Sequence, residues 1–99
     1  MTAPEVWVAK HDGGEIVRAA AIAAVVRDYN GNITVRLSGG DQAAVTIVLD
    51  HSEDHSHTPG DFHRQLLKVV AELSDAAEPA IVRPVHDAAH GWRWIAERL

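Results

Sequence analysis

The stretch Ile22 to Leu49, IAAVVRDYNGNITVRLSGGDQAAVTIVL, restricts the fold more than any other part of the chain. Ile33, Val35 and Leu37 alternate with Asn32, Thr34 and Arg36, and Val45, Ile47 and Leu49 alternate with Ala44, Thr46 and Val48. Alternation of this kind marks strands with one buried face. Asn30-Gly31 suits a type I′ turn, whose central residues both need positive φ. Ser38-Gly39-Gly40-Asp41-Gln42 makes a second turn, with two glycines free to take left-handed angles. A helix is excluded across 30–42, and the stretch reads as three strands joined by two tight turns.

The flanking segments extend this pattern. Glu5 to His11 reads as a strand that is apolar on both faces, Trp7 and Ala9 on one and Val6 and Val8 on the other. Such a strand is central in a sheet or covered at an interface. Asp12-Gly13-Gly14 is a hairpin turn signal, and Glu15 to Arg18 returns as a short strand. Residues 15–29, EIVRAAAIAAVVRDY, are ambiguous. Alanine favours helix and Asp12-x-x-Glu15 imitates a capping box. On a helical wheel Ile22, Val25, Val26 and Tyr29 share a face, but Arg18 falls in its middle and Ile16 and Val17 fall off it. The β-branched residues lean towards strand. The preferred reading is strand 15–18, one helical turn through 19–21 and strand 22–28.

Asp50 to Gly60 is polar and charged, a surface loop. Thr58 as N-cap and Pro59 at the first helical position then open a helix over 59–77. Phe62, Leu66, Val69, Val70 and Leu73 form its apolar stripe, opposite Arg64, Lys68, Glu72 and Asp75. Ala80 to Val85 is a strand, and Pro84 in it belongs at a sheet edge because it has no N–H to give. The tail His86 to Leu99 reads either as a hairpin returning through Trp92–Ala96 or as a helical turn ended by Gly91. Trp92 and Trp94 share a face only on a strand, which favours the hairpin.

These elements make a single α+β domain over residues 1–99. It holds a mostly antiparallel, meander-rich sheet, with helix 59–77 on one face and a C-terminal strand or hairpin. The alternative is the ferredoxin-like order β-α-β-β-α-β, with a helix over 15–29. A chain of 99 residues buries about 65% of its extended surface, enough for one core. That core is made of small side chains, 16 Ala and 12 Val against one Phe and one Tyr, so burial per residue is modest and oligomerisation would add to stability.

Composition also excludes function classes. The formal charge is −5 and the seven Arg are scattered, so no basic stripe exists to track a phosphate backbone, and nucleic acid is not an expected partner. Cysteine is absent, which excludes disulfides and thiolate chemistry and suits a reducing cytoplasm. The N-terminal MTAPEVWVAK lacks the basic and apolar regions of a secretory signal, and no apolar run approaches the ~18 residues of a membrane span. A cytoplasmic protein without a membrane partner is expected.

Candidate sites are few. Four of the seven histidines lie within 51–63, and His51, His55, His57 and His63 are a candidate zinc set. The competing reading is a solvated loop rich in histidine. His86-Asp87-Ala88-Ala89-His90 imitates the His-x-x-x-His pair of zinc hydrolases, but only on a helix would both imidazoles share a face. No Gly-x-Ser-x-Gly surrounds any serine, and Gly39-Gly40 lacks the Lys-Ser/Thr of a phosphate loop. No catalytic residue is assigned, no resident cofactor is expected, and the chain reads as a non-enzyme. Trp7, Trp92, Arg93 and Trp94 are the interface candidates, because Trp and Arg are enriched at binding hot spots.

The runs VWVAKHDGGEIVRA, DYNGNITVRLSGG and AVT resemble short uncharacterised proteins of high-GC Gram-positive (actinobacterial) bacteria. The Ala, Val and Arg bias agrees with such a genome. The resemblance covers about the first half of the chain and implies no activity, so it assigns no residue a role. The expected function is a protein-interaction or self-associating module, with itself as a dimer or another protein as partner. A metal-binding or metal-sensing protein is the alternative. If the histidine loop lies beside a dimer interface, assembly should weaken on acidification.

Overall fold

A computed structural model of the chain describes residues 5–38, 43–49, 58–76, 79–87 and 89–99. The element order is β1 (Val6–Ala9), β2 (Ile16–Arg18), a 3-10 turn (Ala19–Ala21), β3 (Ile22–Arg27), β4 (Ile33–Leu37), β5 (Ala44–Val48), α1 (Phe62–Ala76), β6 (Ala80–Asp87) and β7 (Gly91–Arg98). The fold is α+β and mostly antiparallel, with a C-terminal hairpin. It has two sheets where the sequence suggested one. The first has the order β2-β1-β6-β7 and the second the order β3-β4-β5. The meander is the second sheet. The first is mixed, because β1 runs parallel to β6 with Val6, Trp7 and Val8 beside Ala80, Ile81 and Val82.

The segment 15–29 forms strands around a single turn, not a helix, so the ferredoxin-like alternative falls. Its helix-like spacing has a specific cause. β3 pairs Ile22 with Leu37 and Ala24 with Arg36, so Ala23 is an extra residue, a bulge. The bulge returns Val25 to the face of Ile22, and both pack against the core. Val26 and Tyr29, the rest of the supposed helical face, are exposed.

A second bulge re-aims β5. Thr34 pairs with Thr46 but Ile33 pairs with Val48, leaving Ile47 unopposed. Ile47 and Val48 are both fully buried while Leu49 is 48% exposed. Simple alternation had placed Val48 outside and Leu49 inside, and the bulge reverses them. The Ile47 carbonyl instead accepts a hydrogen bond from the His11 amide at 2.8 Å, joining the end of β1 to the second sheet.

The turns follow their glycines with one shift. Gly13, at φ 76, sits in the β1–β2 hairpin, where Asp12 Oδ1 accepts the Gly14 amide. Between β3 and β4 the Gly31 amide donates to the Asp28 carbonyl, so Tyr29 and Asn30 are the central residues and Gly31 follows at φ 87. This is a three-residue loop ending in a left-handed glycine, not a type I′ turn centred on Asn30-Gly31. Residues 39–42 of the second expected turn and 50–57 of the expected polar loop lie outside the described residues.

The helix begins at Phe62, later than expected. Its first intrahelical bond runs from the Gln65 amide to the Asp61 carbonyl. Thr58 therefore does not cap it. Thr58 is buried and its hydroxyl donates to the Gly31 carbonyl at 2.6 Å, while Arg27 donates to the Thr58 hydroxyl and carbonyl at 3.2 and 2.8 Å. Phe62 and Leu66 point inward with Val69, Val70 and Leu73 beside them, and the opposite face is exposed, as the stripe required. One cluster joins Val6, Val8, Val17 and Val82 of the first sheet to Ile33, Val35, Ile47 and Val48 of the second through Phe62 and Leu66.

Pro84 lies in a strand flanked by β1 and β7, not in an edge strand. The register of β1 on β6 nevertheless ends at Val8 and Val82, so the β1 ladder stops short of Pro84. The physical requirement is met within an interior strand.

Candidate functional site

The first sheet has two different faces. Val6, Val8, Val82 and Pro84 point inward and are buried. On the outer face Trp7 stands between Arg18 of β2 and Ile81 of β6. Ile81 in turn faces Glu97, Arg83 faces Ile95 and Val85 faces Arg93 across the β6–β7 ladder. Trp7, Ile81, Val85 and Ile95 are half-buried, and Ile16 is exposed. α1 packs on the inner side, where Phe62 meets Trp94. Among the described residues no element lies over the outer face.

The charges of this face are closed into pairs. Arg18 reaches Glu5 at 3.6 Å and also lies 5.2 Å from the Trp7 ring centroid, a cation–π distance. Arg83 meets Glu97 at 2.7 Å and Arg93 meets Asp87 at 3.4 Å. Asp87 is held below the ordinary carboxylate range, first by the His90 amide, then by the His90 ring and the Ala89 amide. It is an anion for Arg93 at any physiological pH. The face is thus an apolar mosaic whose cations and anions balance.

The interface candidates from the sequence divide between the faces. Trp7 and Arg93 lie outside. Trp92 and Trp94 lie inside, against Phe62 at the first turn of α1. Trp94 stacks on Phe62 at 4.6 Å and its indole N–H donates to the Phe62 carbonyl at 2.9 Å. Trp92 packs edge-on to His11 at 4.9 Å and near His86 at 5.1 Å, and its buried indole N–H has no partner among the described residues. Sequence reasoning missed Ile81, Ile95, Arg83 and Glu97. Their odd-numbered parity in 80–98 was the available signal.

Of the zinc candidates, His51, His55 and His57 lie outside the described residues. His63 is half-buried on α1, with a buried Nδ1 that has no partner among the described residues. No three His, Asp or Glu among the described residues are grouped to hold a metal. His86 and His90 do not share a helix face. His86 is in β6, and His90 is in the turn, its Nδ1 3.2 Å from Asp87.

A groove of about 320 Å³ lies between Ala19 and Ala20 of the 3-10 turn, Glu5, Val6 and Arg18, and Val70 and Ser74 of α1. Its lining includes one hydroxyl and no histidine, so it assembles no nucleophile–base pair. No described helix is long and apolar enough to cross a membrane. Comparison with protein families, with curated proteins and with solved structures finds no match to this chain.

Proposed function

We propose that this protein is a small non-enzymatic module that acts by associating through its first sheet, with a second copy of itself as its partner. The observation that carries this is the outer face, over which no element lies among the described residues. Trp7, Ile16, Ile81, Val85 and Ile95 share it, and its Arg and acidic residues already neutralise one another. Monomers rarely leave contiguous apolar surface of this kind open beyond a few hundred Å². A face of balanced charge suits its own copy, and two-fold dimers are the commonest assembly. The absence of cysteine supports a reducing, cytoplasmic setting. Sedimentation of untagged protein at micromolar concentration and neutral pH tests the reading. The expected mass exceeds the 10.7 kDa of one chain and rises with concentration. A single-chain mass throughout would overturn self-association and leave a heterologous partner.

A further inference from the structure

The strand edges of the two sheets differ in how open they are. β2 is three residues long and runs straight into the 3-10 turn. β3 is bulged at Ala23, and β5 is bulged at Ile47, whose carbonyl is taken by His11. These features blunt an edge. β7 has none of them. It is eight residues long, contains no proline, and pairs with β6 without a register shift from Arg98 to Gly91. No described strand lies on its other side. An edge of this length is a template for an added strand.

The sequence of β7 is complementary to itself about Ile95. In an antiparallel pair, directly opposed residues lie on the same face. A two-fold axis through Ile95, perpendicular to the sheet, sets Ile95 against its own copy. On the same outer face it sets Arg93 against Glu97 twice, and on the inner face it sets Trp94 against Ala96. Arg93 already touches Asp87 and Glu97 already touches Arg83 within the chain. Across the junction these become an alternating series, Asp87, Arg93, Glu97, Arg83, repeated by symmetry. Other centres lose this. A centre at Arg93 or at Glu97 opposes like charges, which is destabilising. A centre at Trp94 or Ala96 sets Ile95 opposite a charge.

We propose that a second copy of this chain docks along the β7 edge, antiparallel and centred on Ile95, so that the two first sheets become one continuous sheet. This rests on the self-association proposed above and places its junction at the β7 edge of the first sheet; the outer faces of the two copies then lie side by side on one surface of the joined sheet.

The chain has no cysteine, so Ile95→Cys places one thiol per copy at the symmetry axis. Opposed Cβ atoms there are separated by about 4.5–5.5 Å, and a small shift closes a disulfide. Mild oxidation should give a covalent dimer that reductant reverses, while Ala44→Cys in the second sheet stays monomeric on a denaturing gel. A second arm does not depend on Ile95. Arg93→Glu and Glu97→Arg should each raise the dimer Kd about tenfold or more, because each puts like charges opposite at both symmetry-related positions. An equimolar mixture of the two variants should recover a dimer of near wild-type affinity, since every opposed pair is then attractive. If the wild type dimerises but the thiol does not crosslink and the charge variants are unaffected, the β7 edge is overturned and association lies elsewhere on the sheet. A wild type that stays monomeric overturns both this inference and the reading beneath it.

Discussion

Thr58 shows how one residue ties separate parts of the chain together. Its hydroxyl donates to Gly31 and accepts from Arg27, so it anchors the approach to α1 onto the β3–β4 hairpin. Thr58→Val keeps the shape and removes both bonds. Leaving buried partners unsatisfied should cost about 1–3 kcal/mol in urea unfolding, and Thr58→Ser should retain most of that stability. A cost no greater for valine than for serine would show that the hydroxyl contributes nothing. Asp28 acts in the same hairpin. Its carboxylate accepts from the Asn32 side chain and from the amides of Asn32 and Asn30, all at 2.9 Å. The Asn32 side chain leads in holding its pKa below the ordinary value. A folded pKa that is depressed gives stability present above the unfolded pKa and lost as pH falls through the folded one. Stability should therefore decline on acidification within the carboxylate range, and Asp28→Asn should flatten that part of the curve. An unchanged acid limb in Asp28→Asn would remove the hairpin from the account.

Elements are where periodicity and geometry meet. Leu66 is 1% exposed and Leu67 is 56% exposed, so adjacent leucines have opposite roles on α1. Leu66→Ala should cost about 2–5 kcal/mol by cavity formation. Arg64→Ala, on the solvent side, should stay within about 0.5 kcal/mol. Equal melting of the two would reverse the helix orientation. β5 gives a sharper test because its bulge contradicts simple alternation. Val48→Ala should cost about 1.5–3 kcal/mol, whereas Leu49→Ala should stay within about 0.5 kcal/mol. The opposite ranking would mean that β5 continues without a bulge.

At the scale of the molecule, one core is shared by two sheets and a helix, and among the described residues no element lies over the outer face of the first sheet. The inward placing of Trp92 and Trp94 changes the case for association. They complete the core under the first turn of α1, so the apolar residues of the outer face are the half-buried Trp7, Ile81 and Ile95 with the exposed Ile16. The zinc alternative is tested at this scale too. Elemental analysis of untagged protein should find no stoichiometric zinc or nickel. Replacing His51, His55 and His57 with Gln should leave the thermal midpoint and sedimentation unchanged at neutral pH. A one-to-one metal lost in that variant would establish the metal reading.

The sequence by itself determined what is local. Alternation in 33–37, the glycines at 13 and 31 and the stripe from Phe62 to Leu73 are set by steric limits and side-chain period within a few residues. The turn through Ala19–Ala21 was the preferred reading because β-branched residues lie on both sides of the three alanines. The two tryptophans two apart marked a strand for the same local reason. Tertiary structure decided what is not local. The parallel pairing of β1 with β6 joins opposite ends of the chain, and nothing within either strand specifies its neighbour. The bulges at Ala23 and Ile47 each move one residue without a local signature, yet each reverses which side chains face the core. The candidate site was half legible on the same terms. Trp7 and Arg93 were visible as residue types. Their union with Ile81 and Ile95 on one open face exists only once β1, β6 and β7 lie side by side.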